Sequence, residues 1–178
     1  TAQNLVRAGC RAGERVALLL PAQWHSVVLL AAAFRAGAVA CLLDPDGGPA
    51  AVGYAIRALG CGRLIAPPPW PARPELTEPP RAQRHAPEEL IAFMPAAAVA
   101  PGIPELPLDR DATVHAGVDG AGRPAYLVHS LGSHYYGARG ANHALRISSH
   151  NRWLFNVPFH DGRSVGLVFR CLVGGAAL

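Results

Sequence analysis

Short apolar runs and longer periodic ones alternate along the first third of the chain. RVALLLP (Arg15 to Pro21) is apolar at nearly every position and stops at a proline, which predicts a strand buried on both faces. AQWHSVVLLAAAFRAGA follows with no internal breaker before Gly37 and predicts a helix, on which Trp24 and Phe34 read as core residues. VACLLDP (Val39 to Pro45) repeats the strand pattern. AAVGYAIRALG then places Val52, Ile56 and Leu59 at helical spacing, and CGRLIAP supplies another short apolar run. The succession is β-α-β-α-β. Strands apolar on both faces, alternating with helices, predict an α/β fold in which a layered, mostly parallel sheet carries helices on both faces. No glycine-rich turn follows the first strand, which removes a dinucleotide fingerprint at that place.

Between Pro67 and Pro107 the pattern breaks, and that interval holds twelve of the chain's 17 prolines. Regular structure is expected to be sparse there, but LIAFM (Leu90 to Met94) predicts one strand laid against the sheet. The interval therefore reads as a proline-rich excursion, 67–107, within one domain rather than as an interdomain linker. After it, ATVHA (Ala112 to Ala116) and AYLVHS (Ala125 to Ser130) predict two strands around a glycine-rich loop. Leu131, Tyr135, Ala138 and Leu145 then follow a helical stripe with Ser130 as its N-cap. WLFNVP reads as a buried strand, and RSVGLVFRCLVGG as a helix stopping at paired glycines. Leu178 falls where this alternation asks for a further strand, so 1–178 is expected to be a single, incomplete domain.

Composition narrows the function. A length of 178 residues suits one well-buried core. No apolar run reaches the ~18 residues of a membrane span. The formal charge of +4 rests wholly on arginine, since the chain has no lysine. Those arginines are scattered singly, without a basic stripe or interleaved aromatics, which argues against nucleic acid as a partner. Cys10, Cys41, Cys61 and Cys171 lie far apart with no CxxC pair, which gives neither a zinc site nor a disulfide framework. Reduced thiols and a cytoplasmic location are expected, argued from composition because the chain opens on Thr1. His25, His85, His115, His143 and His150 have no carboxylate or cysteine at ligand spacing, so no metal site is expected.

The loop in HAGVDGAGRPAYLVHS (His115 to Ser130) holds the candidate chemistry. GVDGAGRP, Gly117 to Pro124, has the glycine spacing of a P-loop, but Arg123 stands for its lysine and Pro124 for its magnesium-binding hydroxyl. The loop also leads into a strand-like run, so the helix N-terminus that binds phosphate is missing. Gly120 to Ala125 fits GxGxxA and fails on the same context. Read by its own chemistry, Asp119-Gly120 is a hairpin turn signal.

The order and spacing of GERVALLLP, RAGAVACLLDP, DATVHAGVDGAGRPAYLVHS and RWLFNVPFHDGRSVGLVFRCLVGG resemble the N-terminal subdomain of AMP-forming acyl-CoA ligases, the acyl-activating, adenylate-forming enzymes. Within them HSLGSHYYGARGANHALRISSHNRWL is most similar to the o-succinylbenzoate-CoA ligases of menaquinone synthesis. The resemblance covers nearly the whole chain outside the proline-rich segment. It implies that a carboxylic acid attacks the α-phosphate of ATP to give an acyl-adenylate and pyrophosphate. The thiol of CoA then displaces AMP to form a thioester. Mg²⁺ and the loop would stabilise charge on the leaving pyrophosphate.

In the family that loop reads TSGTTGKPKG and wraps the β- and γ-phosphates. Its ten positions fall on Gly117 to Tyr126, so Gly117, Gly120, Gly122, Arg123 and Pro124 are the candidate phosphate-loop residues. Gly122 and Pro124 keep the family residue and Arg123 keeps positive charge. No serine or threonine remains, and Ala125 stands at the second lysine. Hydrogen bonds to charged groups contribute about 1.5–3 kcal/mol each, so weak or lost nucleotide binding is expected. VPFHDGRSVGLVFR corresponds to a family segment like LPLFHVSGLSILMR, whose histidine lies near the acyl pocket. A gapless match puts Asp161 there and a one-residue slip restores His160; HDG is equally a turn between strand and helix. Arg163 is a candidate to meet a carboxylate or simply opens a surface helix. His129 and His134 resemble positions facing the cleft, or cap a buried face.

The family's adenine, ribose and hinge motifs and its lid lysine all fall beyond the matched residues, so no catalytic residue is assigned. Two functions follow: a part of an ATP-dependent, AMP-forming acid-CoA ligase, or a non-catalytic adenylation-domain remnant acting as a scaffold. The remainder of the ligase or a second copy of the chain are the expected protein partners.

Overall fold

The computed structural model describes residues 1–68, 82–91 and 107–178. At its centre Arg15–Leu18 (β1) pairs in parallel with Val39–Leu42 (β2) on one side and Arg63–Ile65 (β3) on the other. Gln83–His85 (β4) extends the sheet beside β3, and Asp111–Val118 (β5) extends it beside β2, both in parallel. Pro124–Ser130 (β6) folds back antiparallel on β5, giving the order β4-β3-β1-β2-β5-β6. The expected mostly parallel sheet is thus present, with one hairpin at its edge.

Alternation along β1 shows why both faces had to be apolar. Val16 and Leu18 point into one core with Ala40, Leu42 and Ile65, whereas Ala17 and Leu19 point into a second with Val39, Cys41 and Leu64. The first core is covered by Ala2–Arg7 (α1), Trp24–Ala36 (α2), Leu131–Leu145 (α5) and Gly162–Gly174 (α6), through Leu5, Leu29, Leu30, Ala138, Val165 and Phe169. The second is covered by Gly48–Leu59 (α3), whose Val52, Ile56 and Leu59 are the stripe legible in the sequence. Each buried leucine-sized side chain contributes about 1.5–3 kcal/mol, so these two layers hold the sheet.

Helix ends follow local chemistry. Gly37, Gly60 and Gly175 close α2, α3 and α6 in the left-handed conformation, at φ 82°, 63° and 69°. The Ser130 hydroxyl accepts from the Ser133 amide at 3.1 Å and caps α5 as expected.

Three local expectations differ from the structure. Trp24 is 56% exposed and lies against His25, because it opens the first turn of α2 outside the apolar stripe; Phe34 does pack on the core, 5.6 Å from the Phe169 ring. WLFNVP forms no strand, with Phe155 packed on the core and Leu154 79% exposed; its start is tied to Ala177 through the Arg152 bridge and the Trp153 amide. Alternating burial without a neighbouring ladder leaves it outside the sheet. In the proline-rich excursion Gln83–His85 forms a strand that the sequence did not predict; of LIAFM, Leu90 ends the one-turn helix Pro87–Leu90 (α4), and 92–94 lie outside the described residues. The strand was missed because its residues are polar and are held by a buried cation. Arg63 reaches Gln83 Oε1 at 2.5 Å, the Ala8 carbonyl at 2.5 Å and Glu14 Oε1 at 2.9 Å.

Candidate functional site

The parallel strands β2 and β5 end at the same side of the sheet, where an open cleft of about 980 Å³ lies between the β5–β6 hairpin and the helices α5 and α6. Crevices outside the carboxyl ends of parallel strands are the usual ligand sites of such sheets. Strand alternation supplies its floor. Thr113 and His115 on β5 share a face with Leu127 and His129 on β6, because the hairpin register pairs Thr113 with His129 and His115 with Leu127. His134 enters from the first turn of α5, and His160, Asp161 and Arg163 enter from the start of α6. The structure therefore brings His129, His134, His160, Asp161 and Arg163 to one cleft.

Three imidazoles form a continuous wall. His115 and His129 stack at 5.0 Å between ring centroids, His129 meets His134 at 5.3 Å, and His134 lies on Phe169 at 5.1 Å. His134 Nε2 and Thr113 Oγ1 share a hydrogen bond of 2.7 Å. Burial, together with the neighbouring His129 and His115, pushes the His134 pKa down to about 4, so its ring is neutral near pH 7. Burial and His129 lower His115 as well, against a smaller upward pull from Asp161. Two of the three rings, His115 and His134, are thus biased toward the neutral form by burial.

At the mouth of the cleft, anionic and cationic groups are already paired. Asp161 caps α6, accepting from the Arg163 amide at 2.8 Å, and its carboxylate holds the Arg163 guanidinium through Nε at 2.9 Å and Nη2 at 2.5 Å. Arg163 in turn holds the Asp161 carboxyl below the usual carboxylate range. His160 Nδ1 faces Asp44 Oδ1 at 3.5 Å, which ties the turn before α6 to the end of β2. The HDG turn caps α6 through Asp161, and His160 and Asp161 also line the cleft.

The glycine-rich loop is the tip of the β5–β6 hairpin and lies outside the cleft's lining. Gly122 takes the left-handed conformation, at φ 76°, that the turn needs. At Gly117 a Cβ would come within 2.5 Å of the Leu127 side chain, so glycine there allows the two strands to close. A Cβ at Gly120 would meet nothing within 4 Å. Arg123 is 78% exposed in its side chain and paired with Asp119 at 2.7 Å, and Pro124 opens β6.

Two cleft residues were not singled out from the sequence. His115 was grouped with histidines lacking ligand spacing, yet its strand parity places it beside His129, and hairpin register was the signal for it. Arg170, on α6, lines the cleft, and among the described residues its guanidinium meets no carboxylate or carbonyl oxygen within hydrogen-bond distance. Among the described residues no group of His, Cys, Asp or Glu is arranged to hold a metal ion, and no helix is long and apolar enough to cross a membrane.

The same architecture is found in solved ligases. The o-succinylbenzoate coenzyme A synthetase of Bacillus subtilis in complex with AMP superposes with a TM-score of 0.82 at 23% identity, over 99% of this chain and 45% of that one. Its complex with ATP and magnesium ion gives 0.80 at 21% identity, over 99% and 46%. The inhibitor-bound N-terminal domain of FACL13 from Mycobacterium tuberculosis gives 0.78 at 20% identity, over 99% and 46%. The chain thus spans less than half the length of these structures, and at such identities the likeness establishes the fold. A search of curated proteins finds no match. Residues 1–117 match the AMP-binding enzyme family, and the chain belongs to that family.

Proposed function

We propose that the chain forms the acyl-pocket half of the N-terminal subdomain of an ATP-dependent, AMP-forming carboxylic acid-CoA ligase. The observation that carries this reading is the meeting of His129, His134, His160, Asp161 and Arg163 in one cleft at the carboxyl ends of the strands, in a member of the AMP-binding family. The stacked wall of His115, His129 and His134, with Phe169 behind it, suits the flat face of an aromatic acid, and Arg170 offers the cation for a carboxylate. An o-succinylbenzoate-like acid is the substrate this favours. ATP with Mg²⁺ and CoA would be co-substrates, with the phosphates directed to Gly117 to Tyr126. The rest of the ligase is the natural partner. Four free, buried cysteines fit a reducing cytoplasm.

Within the cleft these residues act by orienting one another. Thr113 fixes the His134 ring, the Asp44–His160 contact fixes the α6 turn, and Asp161 holds Arg163 at the mouth. Attack on the α-phosphorus and its charge stabilisation fall to groups outside those named.

A second reading, a non-catalytic scaffold, is favoured by the loop itself, whose retained cation is paired internally and which has no serine or threonine hydroxyl. Calorimetry with millimolar Mg·ATP and with o-succinylbenzoate separates the two. Saturable binding of the acid supports the ligase reading. Absence of heat with both ligands from a folded chain leaves the scaffold.

A further inference from the structure

The loop amides and the one retained loop cation have the same partner. Asp119 Oδ1 accepts from the Ala121 amide at 2.8 Å and the Arg123 amide at 3.0 Å. Its Oδ2 accepts from Arg123 Nε at 2.8 Å and Nη2 at 2.7 Å. The Asp119 carbonyl meanwhile accepts from the Gly122 amide at 2.9 Å, and the Asp119 amide donates to the Arg123 carbonyl at 2.9 Å. Converging backbone amides beside an arginine are the donor set that recognises a phosphate oxygen. Here a carboxylate, the nearest side-chain analogue of that anion, already sits on them. The Arg123 amide, the Arg123 side chain and the Ala121 amide hold the Asp119 carboxyl below the usual carboxylate range, so it stays ionised near neutral pH. Laid on TSGTTGKPKG, Asp119 stands at the third position, where the motif has glycine and no such occupant exists.

We propose that Asp119 is a built-in phosphate surrogate: it fills the amide cradle of loop 119–123 and holds Arg123, and the loop takes a polyphosphate only when Asp119 is displaced or removed. Asp119 is thus the residue that sets the loop's specificity. This rests on the reading of Gly117 to Tyr126 as the phosphate loop. It also explains how the loop has a positive residue and a glycine turn without presenting a free anion site. A polyphosphate must compete with a carboxylate tethered in the same turn, whose effective concentration is far above that of a free ligand.

The test titrates inorganic pyrophosphate with magnesium, and separately Mg·ATP, into the wild-type chain, Asp119→Ala, Asp119→Asn and Asp119→Ala/Arg123→Ala. Asp119→Asn retains a carbonyl acceptor for the turn and guards against loss of the hairpin. We expect Asp119→Ala to bind pyrophosphate at least tenfold more tightly than wild type, Asp119→Asn to gain less, and the double variant to lose the gain. Equal pyrophosphate affinity in wild type and both folded single variants overturns the proposal. Arg123-dependent binding of Mg·ATP by wild type, unimproved in Asp119→Ala, also overturns it while leaving the ligase reading intact. A gain in pyrophosphate binding with no Mg·ATP binding by any variant supports the surrogate role and removes the nucleotide-loop reading.

Discussion

Gly162 lies so close to His115 that a Cβ built on the glycine would overlap the imidazole. The first turn of α6 can therefore rest directly on β5, and this contact brings Asp161 and Arg163 to the cleft that His115 floors. Alanine normally favours a helix over glycine by about 1 kcal/mol. Here the clash with a buried ring stacked on His129 should outweigh that gain, since overpacking costs about 1–3 kcal/mol. Gly162→Ala is expected to lower the urea midpoint, and to be neutral or stabilising once His115→Ala has cleared the space. An identical effect in both backgrounds would show that the contact carries no strain.

Acid should loosen the histidine wall before it touches the aspartates. His134 titrates near 4 in the folded chain and near 6.5 unfolded, so the unfolded state binds more protons between those values. Its contribution to stability is complete above about pH 6.5 and is lost as the pH falls through about 4. Asp119 and Asp161, held below the usual carboxylate range by their arginine partners, act at lower pH still. His134→Gln, which keeps a partner for the Thr113 hydroxyl, is expected to flatten the stability profile between pH 6.5 and 4. His115, lowered for the same reason, leaves part of the slope. A profile unchanged by His134→Gln would place the acid sensitivity elsewhere.

The sheet was legible because its central strands must be apolar on both faces, as Val16 and Ala17 show by pointing into different cores. β4 was not legible, since Gln83, Arg84 and His85 have no hydrophobic period and owe their place to contacts with Arg63 from another strand. The cleft divides similarly. His129, His134, His160, Asp161 and Arg163 could be carried over from motif positions, whereas His115 depends on hairpin register and Arg170 on the facing of α6. The pairing of Asp119 with Arg123 was hidden for another reason: sequence shows both charges four apart, but only the turn's geometry shows that one consumes the other.

Arg63 joins α1, β3 and β4, so its loss should unfasten the far edge of the sheet. Its side chain is 8% exposed and that of Glu14 is 20% exposed. Removing one member of a buried pair typically costs about 3–5 kcal/mol, because the other charge is left without a partner. Arg63→Met is expected to destabilise by that order, with Glu14→Gln recovering part of the loss in the double variant. Hydrogen exchange at Gln83–His85 should accelerate more than exchange in β1. Uniform acceleration across the sheet would show that Arg63 stabilises the whole fold without fastening β4.

The two cleft arginines should behave differently toward a carboxylic acid. Arg163 is 75% exposed in its side chain and committed to Asp161, whereas Arg170 lines the cleft and its guanidinium meets no carboxylate among the described residues. An acid that binds Arg163 must first break an existing pair, but one that binds Arg170 gains a charge-assisted contact outright. Arg170→Ala is therefore expected to weaken o-succinylbenzoate binding by about tenfold or more, in keeping with hydrogen bonds to charged groups. Arg163→Ala should change it by less than about threefold, the range of a screened surface pair. Raising the salt concentration should narrow the difference only slightly, because Arg170 is the less exposed of the two. Calorimetric titration of both variants decides the matter: comparable losses would assign the carboxylate to the mouth of the cleft, and no loss in either would remove the acid from it.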